Sequence, residues 1–202
     1  SITLGDLKKK VLISAFDLDN ETIKPGSPRT WKAKFFHNCD PEDADYQELV
    51  VDVAARKVTD TIVLGESPEG VYRSPDGRWV TVAVEEDNSV HFISTATGKR
   101  EFQVKTQGTN PEHAVFSPDS KWVYVSAEEA EDVDIIDVAA RKQVAAVKVG
   151  KRPRGIGFTP DGKLAYVACE LANQVHVIDT AARKVVAVIP AGVRSNGVAV
   201  HP

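Results

Sequence analysis

The chain has 202 residues, 42% of them hydrophobic and 27% charged, with a formal net charge of −4; that is a globular composition, large enough for one domain with its own core. The acidic balance excludes nonspecific nucleic-acid binding, which draws on a surplus of Lys and Arg. No apolar run reaches the roughly 18 residues of a membrane-spanning helix, and no charged-then-apolar signal segment opens the chain.

In chain order, Val11 to Leu18 and Trp31 to Phe36 read as the first strands. Asp40, Glu42, Asp43 and Asp45 follow Cys39; they read as a solvated loop, because the glycine and distal glutamate of an EF-hand calcium loop are missing. Glu48 to Val53 and Val58 to Leu64 match the last two strands of a repeating unit. We expect the two earlier strands to stand in for the first half of that unit.

From there the chain repeats at roughly a 42-residue period, the mark of a repeat architecture. Gly65, Gly108, Gly150 and Gly192 close successive units, and Pro68, Pro111 and Pro153 open them, giving units of about 66–108, 109–150 and 151–192. One extra residue lies between Ser94 and Gly108, at Thr97-Gly98, so it belongs to a loop rather than a strand. In the last complete unit Arg154 to Phe158 is a small-residue strand, Thr159-Pro160-Asp161-Gly162 is a turn, and Lys163 to Cys169, Gln174 to Ile178 and Lys184 to Ile189 are three further strands. The proline presets φ and the glycine accepts positive φ, so the turn has a mechanism. Asn196 to Val200 reads as the opening strand of one more unit.

Short strands separated by regular turn signals indicate an all-β fold. The small residues Gly155, Gly157, Ala114 and Ala199 fall where a radial arrangement crowds its innermost strands. Four-stranded sheets set around a channel leave only short, protected edges. The expected fold is a β-propeller of four-stranded blades, about four of them, incomplete or open; a β-solenoid has shorter coils. Such an arc leaves apolar faces uncovered unless it closes on itself, pairs as a homodimer, or continues in a longer polypeptide, the preferred reading.

The charges concentrate in loops of one rim. Glu85-Glu86-Asp87, Glu128-Glu129, Glu131-Asp132 and Glu170 follow second strands, while Glu69, Glu112, Lys151, Arg152, Arg154 and Arg194 lie at the entries to the inner strands. Opposite charges on neighbouring loops of a rigid scaffold can frame a binding mouth, although a solvated rim uses the same residues. The candidate ligand-binding residues are Glu69, Glu112, His113, Arg152, Arg154 and Arg194. His113 takes the register position of Gly70, Gly155 and Gly197 and should approach the mouth, while His91 and His176 share a third-strand position and read as pleat residues. Asp137 and Asp179 precede a recurring Ala-Ala-Arg-Lys and are expected to accept backbone N–H groups in the turn. Cys39 and Cys169 are the only cysteines; they read as free thiols, with a bridge in an oxidising compartment as the alternative. No metal site or cofactor is expected.

The runs Ser117-Pro118-Asp119-Ser120-Lys121-Trp122-Val123-Tyr124-Val125 and Thr159-Pro160-Asp161-Gly162-Lys163-Leu164-Ala165-Tyr166-Val167, followed by Asp134-Ile135-Ile136-Asp137 and His176-Val177-Ile178-Asp179, resemble the YVTN family of β-propeller repeats over about residues 46–202. Ser94 departs from the aspartate at Asp52, Asp137 and Asp179. The resemblance implies a propeller, commonly of seven blades, in an extracytoplasmic setting; this chain is too short for seven. Residues 1–45, through Leu4-Gly5-Asp6-Leu7, Phe16-Asp17-Leu18-Asp19-Asn20 and Pro28-Arg29-Thr30-Trp31, are similar to an internal stretch of patatin-like phospholipases. The serine elbow and the catalytic aspartate of that family have no counterpart: Gly65-Glu66-Ser67-Pro68 has the wrong spacing and a proline after the serine.

Three function classes follow. The first is a non-catalytic binding or scaffold propeller that presents its mouth to a protein or small ligand. The second is a propeller associated with quinone or haem redox chemistry, and the third an inactive fragment of a patatin-like lipid acyl hydrolase.

Overall fold

The computed structural model describes residues 11–12, 47–52 and 57–200. It falls into two compact units, Ser1–Val63 and Leu64–Pro202. In the first, β1 (Val11–Leu12), β2 (Gln47–Asp52) and β3 (Lys57–Val63) form an antiparallel sheet in that order. Val11 lies opposite Val51 and Leu12 opposite Val50. The expected strand Trp31 to Phe36, and the continuation of the first strand to Leu18, lie outside the described residues.

The second unit contains three four-stranded sheets. They are β4 (Pro68–Arg73) to β7 (Arg100–Lys105) through β5 (Trp79–Val84) and β6 (Ser89–Ser94); β8 (Pro111–Phe116) to β11 (Lys142–Lys148) through β9 (Trp122–Ala127) and β10 (Asp132–Asp137); and β12 (Pro153–Phe158) to β15 (Lys184–Pro190) through β13 (Leu164–Cys169) and β14 (Gln174–Asp179). Each is an antiparallel meander. The described residues contain no helix, and the fold is an incomplete β-propeller.

One irregularity recurs. The ladder between third and fourth strands shifts register at Phe92/Ile93, Ile135/Ile136 and Val177/Ile178, and the β2–β3 pair shifts in the same way at Val50/Val51. A bulge adds local twist, so its return marks β2–β3 as the outer half of a blade, the fourth represented in the chain.

The sequence explains the elements. Second and third strands are β-branched runs, and β5, β6, β9 and β10 are buried almost throughout, whereas the outer strands β7, β11 and β15 are largely exposed. Serine and aspartate close the first turn of each blade: the Ser117 hydroxyl donates to Asp119 Oδ1 at 2.7 Å and accepts from the Trp122 N–H at 3.1 Å. The same pattern joins Ser74 to Asp76 and Thr159 to Asp161. Asp137 and Asp179 accept the N–H of Ala140 and Ala182 at 2.9 and 2.8 Å, the turn role their spacing predicts.

Two cores lie where neighbouring sheets meet. The first joins Val90, Phe92 and Val104 to Ala114, Phe116, Val123, Val125 and Ile136; the second joins Tyr124, Val133, Ile135 and Val147 to Ile156, Ala165, Val167 and Ile178. Strand ends depart slightly from expectation, the inner strand of the last sheet starting at Pro153 and the second at Leu164. The larger departure is Asn196 to Val200, which is not a strand. Gly155 donates to Asn196 O at 2.9 Å, and a Cβ on Gly155 would meet Asn196 O and Gly197 Cα at 2.8 Å. The segment lies close against β12, but no described strand pairs with it to complete a ladder. Cys169 is a free, buried thiol; Cys39 lies outside the described residues.

Candidate functional site

Three positions recur at the rim where the chain enters each inner strand. The first adopts positive φ and is occupied by Ser67, Asn110, Arg152 and Arg194. A non-glycine residue in this region is often read as stored functional strain, but its return in every unit makes it a feature of the blade connection. Two residues later stand Glu69, Glu112, Arg154 and Asn196, and the residue just after each second strand is Glu85, Glu128 or Glu170. The N–H of each of these glutamates donates to the carbonyl of Ser67, Asn110 or Arg152 in its own blade. Backbone geometry therefore aims every glutamate at the mouth.

The side chains then tie blade to blade. Asn110 Nδ2 donates to Glu85 Oε1 at 2.9 Å, Arg152 Nε lies 2.6 Å from Glu128 Oε1, and Arg194 Nη1 lies 3.2 Å from Glu170 Oε1. The Arg152 contact is ionic and misaligned for a hydrogen bond. At the centre Arg154 pairs with Glu112, with Glu128 at 3.0 Å and with Glu170 at 3.3 Å. Glu112 and Glu170 are 4% and 6% exposed, so this is a desolvated network rather than a rim of solvated charges.

Burial sets its electrostatics. It pushes Glu112 up to about 8, aided by a hydrogen bond with Glu128 and opposed by Arg154. Glu69 rises to about 7 through burial and the charges of Glu85 and Glu128, and Glu85 is raised by burial and Glu128. Five carboxylates face three guanidiniums, and the excess is relieved by protons held on Glu112 and Glu69. This arrangement can hold and release protons and clamp blades together.

The structure brings Arg152, Arg154, Arg194, Glu112 and Glu69 to one mouth, and adds Glu85, Glu128, Glu170 and Asn110, which sequence reasoning did not single out as binding residues. Their signal was present in the repeat: a glutamate directly follows every second strand of the three sheets. His113 lies beside Arg154 but takes no part in the ion pairs. Its ring packs edge-on to Tyr72 with centroids 5.8 Å apart, and a Cβ on Gly70 would lie 2.5 Å from His113 Cδ2. It is wedged between two inner strands, and burial lowers its pKa.

Haem chemistry can be tested against these groups, because the iron needs an axial nitrogen, sulfur or phenolate oxygen. His91 is fully buried and its Nε2 lies 3.0 Å from Ser89 Oγ. His176 Nε2 lies 3.2 Å from Gln174 Oε1, and the Cys169 thiol is buried over Val167 O. The Nδ1 atoms of His91, His113 and His176 are buried without partners, enclosed in packed sheets rather than facing open space. The arginines of the mouth are already paired with its glutamates. These histidines, the cysteine and the mouth arginines do not fit a haem.

The model of the cytochrome D1 heme domain matches residues 80–198, more than half of the chain. Among solved structures, hydrazine synthase of Kuenenia stuttgartiensis is similar at 27% identity with a TM-score of 0.66; the match covers 71% of this chain and 42% of that one. The present chain thus spans less than half the length of that structure. No curated protein matches it. Sheet by sheet and by family match, the chain belongs to the cytochrome D1 heme domain family.

Proposed function

We propose that the chain is an arc of a β-propeller associated with haem redox chemistry, working beside an iron centre that its described residues do not ligate. The observation that carries this reading is the D1 heme domain match over residues 80–198, and the likeness to a hydrazine synthase supports it. The arc itself is non-catalytic. Its contribution is a rigid mouth whose Glu112 and Glu69 carry protons near neutral pH, beside chemistry that consumes or releases them. The YVTN-type reading of the repeats, the patatin-like reading of residues 1–45 and the extracytoplasmic setting rest on sequence resemblance.

The test is isolation of the tagged full chain under native conditions from its source cells, followed by quantitation of haem. Haem present in proportion to the chain in the native complex, with none taken up by the purified chain alone, is the expected result. A haem-free native complex overturns the reading. It would favour the second one, a scaffold that seats a protein or small ligand on its mouth loops.

A further inference from the structure

The two junctions between neighbouring sheets of the second unit are built differently on the rim opposite the mouth. At the junction of β4–β7 with β8–β11, Phe92 stacks on Phe102 at 4.4 Å, Trp79 packs edge-on to both, and Phe116 closes the cluster at 6.2 Å from Phe92. Arg141 then lies over the Phe102 ring at 4.4 Å. At the next junction the ladder that pairs Phe92 with Phe102 pairs Ile135 with Ala145. Two aromatic rings have been replaced by an isoleucine and an alanine, and Arg183 falls instead on the Trp122 ring, 4.7 Å from its centroid.

Beside Arg183 on this rim lies a cleft of about 700 Å³ lined by Trp122, Tyr124, Phe158 and Arg183, with Asp119 and Asp161 at its edge. Tyr124 and Phe158 meet edge-on at 4.9 Å and form its apolar wall. Tyr124 is only 2% exposed, yet it lines the cleft, and the charges of Arg183 and Asp179 act on its hydroxyl. The charges differ in availability. Asp119 is paired with Lys121 at 3.4 Å and Asp161 with Lys163 at 3.1 Å, and both carboxylates also accept hydrogen bonds within their own turns. Asp179, near the Tyr124 hydroxyl, accepts the Ala182 N–H. Arg183 has no carboxylate partner among the described residues.

We propose that this cleft is a binding site for a small aromatic carboxylate, its ring against the Tyr124–Phe158 wall and its carboxylate bridging the Arg183 guanidinium and the Tyr124 hydroxyl. Planar guanidinium recognises carboxylate through two parallel N–H groups, and aromatic walls favour a flat ring. The site is separate from the carboxylate–arginine mouth and does not depend on the haem-linked reading.

The experiment is calorimetric titration of the full chain with phenylacetate, phenylacetamide and phenethylamine. Phenylacetate should bind at one site per chain, with phenylacetamide weaker by about tenfold or more, the loss expected when a charge-assisted pair is removed. Arg183→Gln should weaken phenylacetate by about tenfold and leave phenylacetamide unchanged, while Tyr124→Phe should weaken both by about fivefold, the worth of one hydrogen bond. Ala181→Trp extends an indole from an exposed turn residue that lines the cleft; it should abolish binding without lowering the melting temperature. Absence of phenylacetate binding overturns the proposal, as does binding that survives both Arg183→Gln and Ala181→Trp. Tighter binding of phenethylamine than of phenylacetate would overturn the assigned charge.

Discussion

The junction of β4–β7 with β8–β11 and the junction of β8–β11 with β12–β15 share one backbone plan but use different sources of cohesion. The first is dry and aromatic, built from Trp79, Phe92, Phe102 and Phe116, with Asn110 and Glu85 joined at the mouth by a neutral amide. The second has a cleft on one rim and buried ion pairs on the other, with Arg154 serving three glutamates. Apolar burial hardly responds to pH or salt, whereas buried charges respond to both. Within one repeat architecture, the buried ion pairs are therefore concentrated at the seam that Arg154 holds.

The largest effects should separate the seams by their dependence on pH. Arg154→Ala leaves Glu112, Glu128 and Glu170 without their shared cation, and removing one partner of a buried pair costs about 3–5 kcal/mol. Phe92→Ala empties the aromatic seam at a similar cost of about 3–5 kcal/mol. In denaturant titrations at acid and neutral pH, the Arg154→Ala loss should shrink at acid pH, where the abandoned carboxylates are protonated, while the Phe92→Ala loss should not change. Equal pH dependence in the two variants would break the comparison.

Glu112 sharpens it further. Its folded pKa of about 8 lies above that of an ordinary carboxylate, so the folded chain holds a proton that the unfolded chain releases. Its contribution to stability is complete below the unfolded carboxylate's pKa and is lost as pH rises through about 8. Glu69, at about 7, acts in the same direction over a narrower window. Glu112→Gln keeps a neutral side chain in place and should flatten the decline in denaturation midpoint between about pH 5 and about pH 9. An unchanged decline would remove Glu112 from the account.

The smallest expected effect is at the neutral staple. Asn110→Ala removes the bond to Glu85 and should cost about 1 kcal/mol, the net worth of one hydrogen bond, in thermal unfolding of the full chain. A loss as large as that of Arg154→Ala would mean that the amide staple carries as much as the ionic one.

Much of this was legible in the residues. The 42-residue recurrence, the Pro-Asp-Gly turns and the alternating strands specify four-stranded blades, because turn chemistry and side-chain alternation act over a few residues. Asp137 and Asp179 were readable for the same reason. The charged mouth was visible as loops of opposite sign, but its members were not ranked. Arg152 and Arg194 look equivalent to Arg154 in sequence, yet Arg152 reaches two glutamates and Arg194 one, whereas Arg154 reaches three. His113, a candidate for the mouth, is instead a wedge against Gly70 and Tyr72.

The sequence alone determined the blade, since hydrogen-bonded turns, β-branched runs and small inner-strand residues are local instructions. Tertiary structure alone decided which glutamates share Arg154, which of them keep protons, and that Trp122, Tyr124, Phe158 and Arg183 meet around one cleft. The Arg154 pairs join residues 16 to 42 positions apart, and no local pattern carries their distances and desolvation.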